Sequence, residues 1–214
     1  QVLPPGPHAH AIQSDPSNRF VFATSLGAGV ITQWRFDAAT GEIAPHTPMT
    51  LQPHVGASPR HLVFSPDARF VYLLGELDAA IDVLAFDADA GTLRTVQTIG
   101  SLPPGFSGEP WAADLHLTPD GRFLYTSERR SSTLAVWRVN ADSGTLALIG
   151  HLPTEAQPRG FNVTPDGGFL VAAGQRSHHV TLYRIQPETG WPDELGRCAV
   201  GEGPNWVESV ALDH

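Results

Sequence analysis

Four short stretches carry an unusual concentration of residue types that could do chemistry. They read Pro7-His8-Ala9-His10, Ser58-Pro59-Arg60-His61, Ala113-Asp114-Leu115-His116 and Gln157-Pro158-Arg159-Gly160. Each opens an apolar run. Three further polar groups close the run that follows: Gly75-Glu76, Ser127-Glu128-Arg129 and Gly174-Gln175. A carboxylate such as Glu76 or Asp114 is a candidate general base where burial lifts its pKa toward neutrality. Arg60 and Arg129 offer planar forks for phosphate or carboxylate.

Other residue types are excluded or given a structural reading. The chain has no lysine, so Schiff-base and lysine-base chemistry are ruled out. His8 and His10 sit two apart on one strand face, but no carboxylate stands at matching spacing, and no metal or cofactor is expected. His178 and His179 are adjacent, so they point to opposite faces of a strand. His61 follows Arg60 and is read the same way, as an inter-blade packing residue on the opposite face. Arg159 has two readings, as a substrate ligand and as a donor to carbonyls at a junction between repeats. The single cysteine, Cys198, excludes an internal disulfide and reads as a small packed residue.

The elements that must position these groups repeat. Pro16, Pro66, Pro119 and Pro165 each stand in a Pro-Asp-Gly-type turn running into an apolar strand, at intervals of 50, 53 and 46 residues. A second mark recurs in phase: Asp37 to Gly41, Asp87 to Gly91, Asn140 to Gly144 and Glu188 to Gly190, where a polar residue and a glycine between apolar strands signal a hairpin. Between the marks lie alternating strands, such as Ala80 to Phe86 around Asp82, and nothing longer than a turn has a 3.6-residue period. Four antiparallel strands per unit make an all-β β-propeller. The expected blades span residues 8–53, 54–108, 109–155 and 156–202, with a closing innermost strand at 203–212, all within one propeller segment, 1–214. In that fold the first strands line the central channel, and the polar stretches lie at its mouth. Asp67, Asp120 and Asp166 are turn formers on the opposite face. Trp34, Trp137 and Tyr183 are expected to pack between blades, with Trp111 and Trp206 nearer the channel.

The stretches Pro59 to Phe64, Trp111 to Gly121, Gln157 to Val163, Ala172 to His179 and Gly201 to Val207 occur in an order that resembles the propeller-type 6-phosphogluconolactonases. That family also contains carboxymuconate-cyclase-like proteins. The resemblance runs over essentially the whole chain. It implies a seven-bladed, metal-independent enzyme of which this chain matches the C-terminal four blades and the closing strand. It places the family's catalytic histidine at His10, its arginines at Arg60 and Arg129, and its acid at Glu76. The other polar positions at the same channel mouth, His8, Asp114, His116, Arg159 and Gln175, are expected to be substrate ligands. The implied activity is hydrolysis of 6-phosphogluconolactone to 6-phosphogluconate, with Glu76, or Asp114 in second place, activating water.

Two alternatives stand beside it: another lactone hydrolase or a muconate-type cycloisomerase on the same scaffold, and a non-catalytic propeller that binds proteins on its faces. The Arg, His and carboxylate set argues for an enzyme. A small anionic lactone is the expected partner. The net charge of −9 argues against a nucleic-acid or anionic-membrane surface, and no apolar run reaches the length of a membrane span. No signal peptide is visible, although the chain opens at Gln1, and the expected location is cytoplasmic. Exposed blade faces are expected to promote self-association.

Overall fold

The computed structural model describes residues 2–4 and 6–211. Every strand in it runs between the turn marks read from the sequence. In the first repeat, Ala9–Ser14 (β1), Phe20–Ser25 (β2), Val30–Asp37 (β3) and Glu42–Leu51 (β4) pair in sequence order as one antiparallel sheet. The second sheet is Pro59–Phe64 (β5), Phe70–Gly75 (β6), Ala80–Asp87 (β7) and Thr92–Gly100 (β8). Ala112–Leu117 (β9), Phe123–Glu128 (β10), Thr133–Val139 (β11) and Leu146–Pro153 (β12) form the third. The fourth is Pro158–Val163 (β13), Phe169–Gly174 (β14), His179–Ile185 (β15) and Pro192–Ala199 (β16). The fold is all-β, and the four-stranded antiparallel meander is the blade of a β-propeller.

The Pro-Asp turns work as their residues require. In the third, Thr118 Oγ1 donates to Asp120 Oδ1 at 2.6 Å, the same oxygen accepts the Arg122 amide at 3.1 Å, and the Gly121 amide donates to Thr118 O at 2.8 Å. Gly121 holds φ +72°. Ala68 and Asn18 hold φ +57° and +56° at the same place in their turns, the left-handed region that a glycine enters without penalty.

The chain divides into two compact units, Gln1–Gly100 and Ser101–His214. Each contains two sheets and one core. In the first unit Phe20, Phe22 and Ile31 of one sheet interlock with Leu62, Phe64, Val71, Leu84 and Phe86 of the other. The rings of Phe22 and Phe86 meet edge to face at 5.7 Å. In the second unit Phe123, Tyr125, Leu134 and Val136 pack on Phe161, Leu170 and Tyr183. Burying such side chains yields about 1.5–3 kcal/mol each, the main term holding adjacent blades together. Trp34, Trp137 and Tyr183 are buried.

The segment expected to close the array as a strand departs from that expectation. Residues 203–211 form no sheet ladder, and residue 212 lies outside the described residues. A strand exists only against a partner's backbone groups. This segment is tied to β13 chiefly through side chains: Asn162 Nδ2 donates to Val207 O at 3.2 Å, and Ser209 Oγ donates to Val163 O at 3.2 Å. It passes so close to β13 that a Cβ on Gly160 would stand 2.8 Å from Asn205 O.

Candidate functional site

The polar residues at the starts of β1, β5, β9 and β13 sit in β-bulges, and the bulge recurs in all four sheets. Pro59 pairs with Gly75 and His61 with Leu74, leaving Arg60 as the extra residue. Pro158 pairs with Gly174 and Gly160 with Ala173, leaving Arg159. Ala113 and Asp114 together oppose Ser127, and His10 and Ala11 together oppose Thr24. A bulge bends the strand and re-aims the side chain it carries. The amides it displaces need new acceptors. Ser127 Oγ takes the Asp114 amide at 3.0 Å, and Thr24 Oγ1 takes the Ala11 amide at 2.9 Å. The Thr24 hydroxyl donates onward to Arg60 O at 2.8 Å, which joins the bulges of β1 and β5.

In the Gln1–Gly100 unit this brings His10, Arg60 and Glu76 together. Arg60 is buried, with 2% of its side chain exposed, and its Nε donates to Glu76 Oε2 at 2.8 Å. Glu76 caps the exit of β6, and its own amide donates to Ser58 O at 2.8 Å. His10 Nε2 lies 4.0 Å from the same Glu76 oxygen, with 28% of its side chain exposed against 14% for Glu76. His61 joins them, contrary to the reading that set it on the face opposite Arg60. Arg60 Nη1 lies 3.2 Å from His61 Nε2, and the His10 and His61 rings meet at 4.9 Å and 63°. Simple strand alternation assigned His61 to the wrong face because it counted Arg60 as a paired residue; the bulge removes it from the count. His8 lies outside this cluster on an exposed turn, its carbonyl accepting the Leu26 amide at 3.2 Å.

In the Ser101–His214 unit Asp114 is buried and lies 3.3 Å from His116 Nε2. The His116 ring meets Phe161 edge to face at 4.9 Å. Arg129 is buried as well. Its Nε donates to Trp111 O at 2.9 Å and its Nη2 to Ala112 O at 2.8 Å, and the guanidinium lies 3.8 Å from the centre of the Trp111 ring. Glu128, beside it in β10, accepts the amides of Trp111 at 2.7 Å and of Ser131. Gln175 Oε1 accepts from Gln157 Nε2 at 3.0 Å, and Arg159 is half-buried.

Two polar groups escaped the sequence reading. His54 is held between two carboxylates, with Nε2 2.9 Å from Asp78 Oδ2 and Nδ1 2.9 Å from Asp82 Oδ2. Asp82 is buried in β7 and accepts the Thr98 hydroxyl at 2.6 Å. Burial opposes charge on His54, but Asp82 and Asp78 outweigh it and hold the imidazole pKa above its ordinary value. Burial raises the Asp82 pKa, against the pull of Thr98 and His54. In the other unit Glu155 is buried under Arg197, whose Nε and Nη2 donate to its carboxylate at 2.7 and 3.0 Å. There burial alone would raise the pKa, but the bonds from Arg197, Ser177 and Thr181 bring it down to about 2. Asp82 inside an apolar strand was a visible signal. His54 was not, since its loop carries no motif.

A partly exposed imidazole beside a carboxylate, with that carboxylate fixed by a buried guanidinium, can move a proton between water and a bound oxygen. Similarity to known proteins narrows the reading. A 6-phosphogluconolactonase of Pectobacterium carotovorum subsp. carotovorum is 46% identical over 204 residues, covering 95% of this chain and 61% of the relative. The 6-phosphogluconolactonase of Serratia proteamaculans is 40% identical over 202 residues, covering 94% and 61%. This chain therefore spans about 61% of the length of these curated relatives. Among solved structures, the periplasmic gluconolactonase of Pseudomonas aeruginosa superposes with a TM-score of 0.85 at 33% identity, covering 91% of this chain and 55% of that one. A protein from Lactobacillus plantarum superposes with a TM-score of 0.86 at 32% identity, covering 93% and 57%. The family described as "Lactonase, 7-bladed beta-propeller" matches residues 4–209, and the chain belongs to that family.

Proposed function

We propose that this protein hydrolyses a sugar-phosphate lactone, 6-phosphogluconolactone, to the open acid. The observation that carries the reading is the contact of His10, Glu76 and Arg60 within a chain of the lactonase family. Glu76 takes a proton from a water, and the oxygen of that water adds to the lactone carbonyl. The tetrahedral intermediate collapses with cleavage of the bond between the carbonyl carbon and the ring oxygen. His10 gives the leaving ring oxygen its proton, and the proton Glu76 took then returns to His10, so both groups regain their starting states. Arg60, buried against Glu76, holds that carboxylate in one orientation. His8 is read as a substrate ligand on the same unit.

In the Ser101–His214 unit the substrate-binding reading rests on Asp114, His116, Arg159 and Gln175. Arg129 shapes the start of β9 by holding the carbonyls of Trp111 and Ala112. Supporting a phosphorylated substrate are the relatives named 6-phosphogluconolactonase. The P. aeruginosa neighbour, a periplasmic gluconolactonase, favours a second reading, in which the lactone carries no phosphate. The two readings also separate the cytoplasm, where we place this protein on the phosphorylated substrate, from the periplasm of that neighbour.

A pH-stat assay against the spontaneous opening rate tests both. The proposal expects 6-phosphogluconolactone to be opened well above the blank and with a higher kcat/KM than gluconolactone. Equal or reversed preference favours the second reading, and no rate above the blank for either removes the enzyme. Self-association is supported by the apolar residues Ile12, Trp206 and Val210, which are 67%, 62% and 68% exposed. Sedimentation equilibrium tests it, and a mass of 22.9 kDa at all concentrations removes it.

A further inference from the structure

We propose that His61 is a positioning residue for the reaction: its ring holds the His10 imidazole in the orientation that directs Nε2 toward Glu76. The inference rests on the lactonase reading of that cluster. Its basis is a chain of contacts among four side chains. Glu76 receives Arg60 Nε at 2.8 Å, Arg60 Nη1 lies 3.2 Å from the His61 ring, and the His61 ring meets that of His10 at 4.9 Å. His10 Nε2 then faces the Glu76 carboxylate at 4.0 Å.

That last distance is beyond hydrogen-bond length, so the carboxylate attracts the imidazole without fixing its plane. An edge-to-face ring contact does fix a plane, because the positive edge of one ring must meet the negative face of the other. His61 is itself held by Arg60, which is 2% exposed and cannot swing away. The bulge at Arg60 makes this possible, since regular pairing would put His61 on the other face of β5. A partly exposed general acid needs such a support, because misplacement by about 1 Å costs on the order of a hundredfold in rate.

The test compares His61→Ala and His61→Phe in the full chain. His61→Phe keeps an aromatic edge without ring nitrogens. With 6-phosphogluconolactone, His61→Ala is expected to lower kcat by about ten- to a hundredfold while KM changes less than about twofold. His61→Phe is expected to restore most of the loss. In a His10→Gln background His61→Ala should cost less than about twofold more, because the two residues act as one unit. An equal further loss in that background, or wild-type kcat in His61→Ala, overturns the proposal. NMR titration of the His10 ring gives a reading independent of turnover. Its Cε1–H shift and titration midpoint should move in His61→Ala and return in His61→Phe; unmoved signals in a folded His61→Ala overturn the proposal. If the wild type opens no lactone above the blank, the lactonase reading falls, and the NMR comparison alone decides whether His61 orients His10.

Discussion

His54 shows how one side chain sets a pH limit on stability. Its imidazole bridges Asp78 and the buried Asp82, and its pKa in the folded chain is raised above 6.5. A raised folded pKa stabilises the fold fully below the unfolded value and loses that contribution as pH rises through the folded value. The melting temperature is therefore expected to fall as pH rises above about 6.5. His54→Gln should be less stable than wild type by about 2 kcal/mol at pH 6, since it leaves the Asp82 carboxylate without its cation. The gap should narrow toward alkaline pH. A constant gap across that range would show that the bridge carries no charge.

The same scale marks what could be read from residues alone. His10, Arg60 and Glu76 were legible because unlike polar groups opened and closed apolar runs in register with the repeat. His61 was misread because a bulge has no composition of its own. Only Pro59, which has no amide to donate, hinted that pairing starts irregularly there. Arg129 was placed in the catalytic set by the resemblance to the lactonase family. What the sequence could not show is that two of its nitrogens donate to carbonyls at the start of β9.

At the scale of elements the hairpin glycines have two functions. Gly41, Gly91 and Gly190 hold φ of +75°, +69° and +72° in the turns between third and fourth strands. A Cβ on Gly91 would stand 2.1 Å from the Phe20 ring of the neighbouring sheet, and one on Gly190 would stand 2.2 Å from Phe123. Nothing lies within 4 Å at Gly41. Gly41→Ala is therefore expected to cost only the backbone penalty, about 1–2 kcal/mol. Gly91→Ala and Gly190→Ala should each cost about 1–3 kcal/mol more, because a buried aromatic ring must move. Urea unfolding of the three variants checks this, and equal losses would mean the rings yield freely. The turns and strands were readable from Asp, Asn and Gly at fixed offsets. The packing of each turn on the next blade was not, since Phe20 and Gly91 lie far apart in the chain.

For the molecule as a whole, the repeat period gave the architecture and the number of sheets. The same argument expected a final strand at 203–212. It failed there because a strand depends on a pairing neighbour as well as on an apolar alternating sequence, and residues 203–211 have no ladder partner. Each unit, Gln1–Gly100 and Ser101–His214, has its own buried aromatic core and an ion pair with one buried partner, Arg60–Glu76 in one and Arg197–Glu155 in the other. The first pair adjoins a partly exposed imidazole; the second bonds Thr181 and supports its blade. That difference is why the chemistry is assigned to Glu76. The most direct test is kcat of Glu76→Gln for 6-phosphogluconolactone, corrected for spontaneous opening. The account predicts a fall of about a hundred- to ten-thousandfold, measured below the lowered melting temperature that follows from leaving the buried Arg60 without its anion. A Glu76→Gln rate equal to wild type would contradict it.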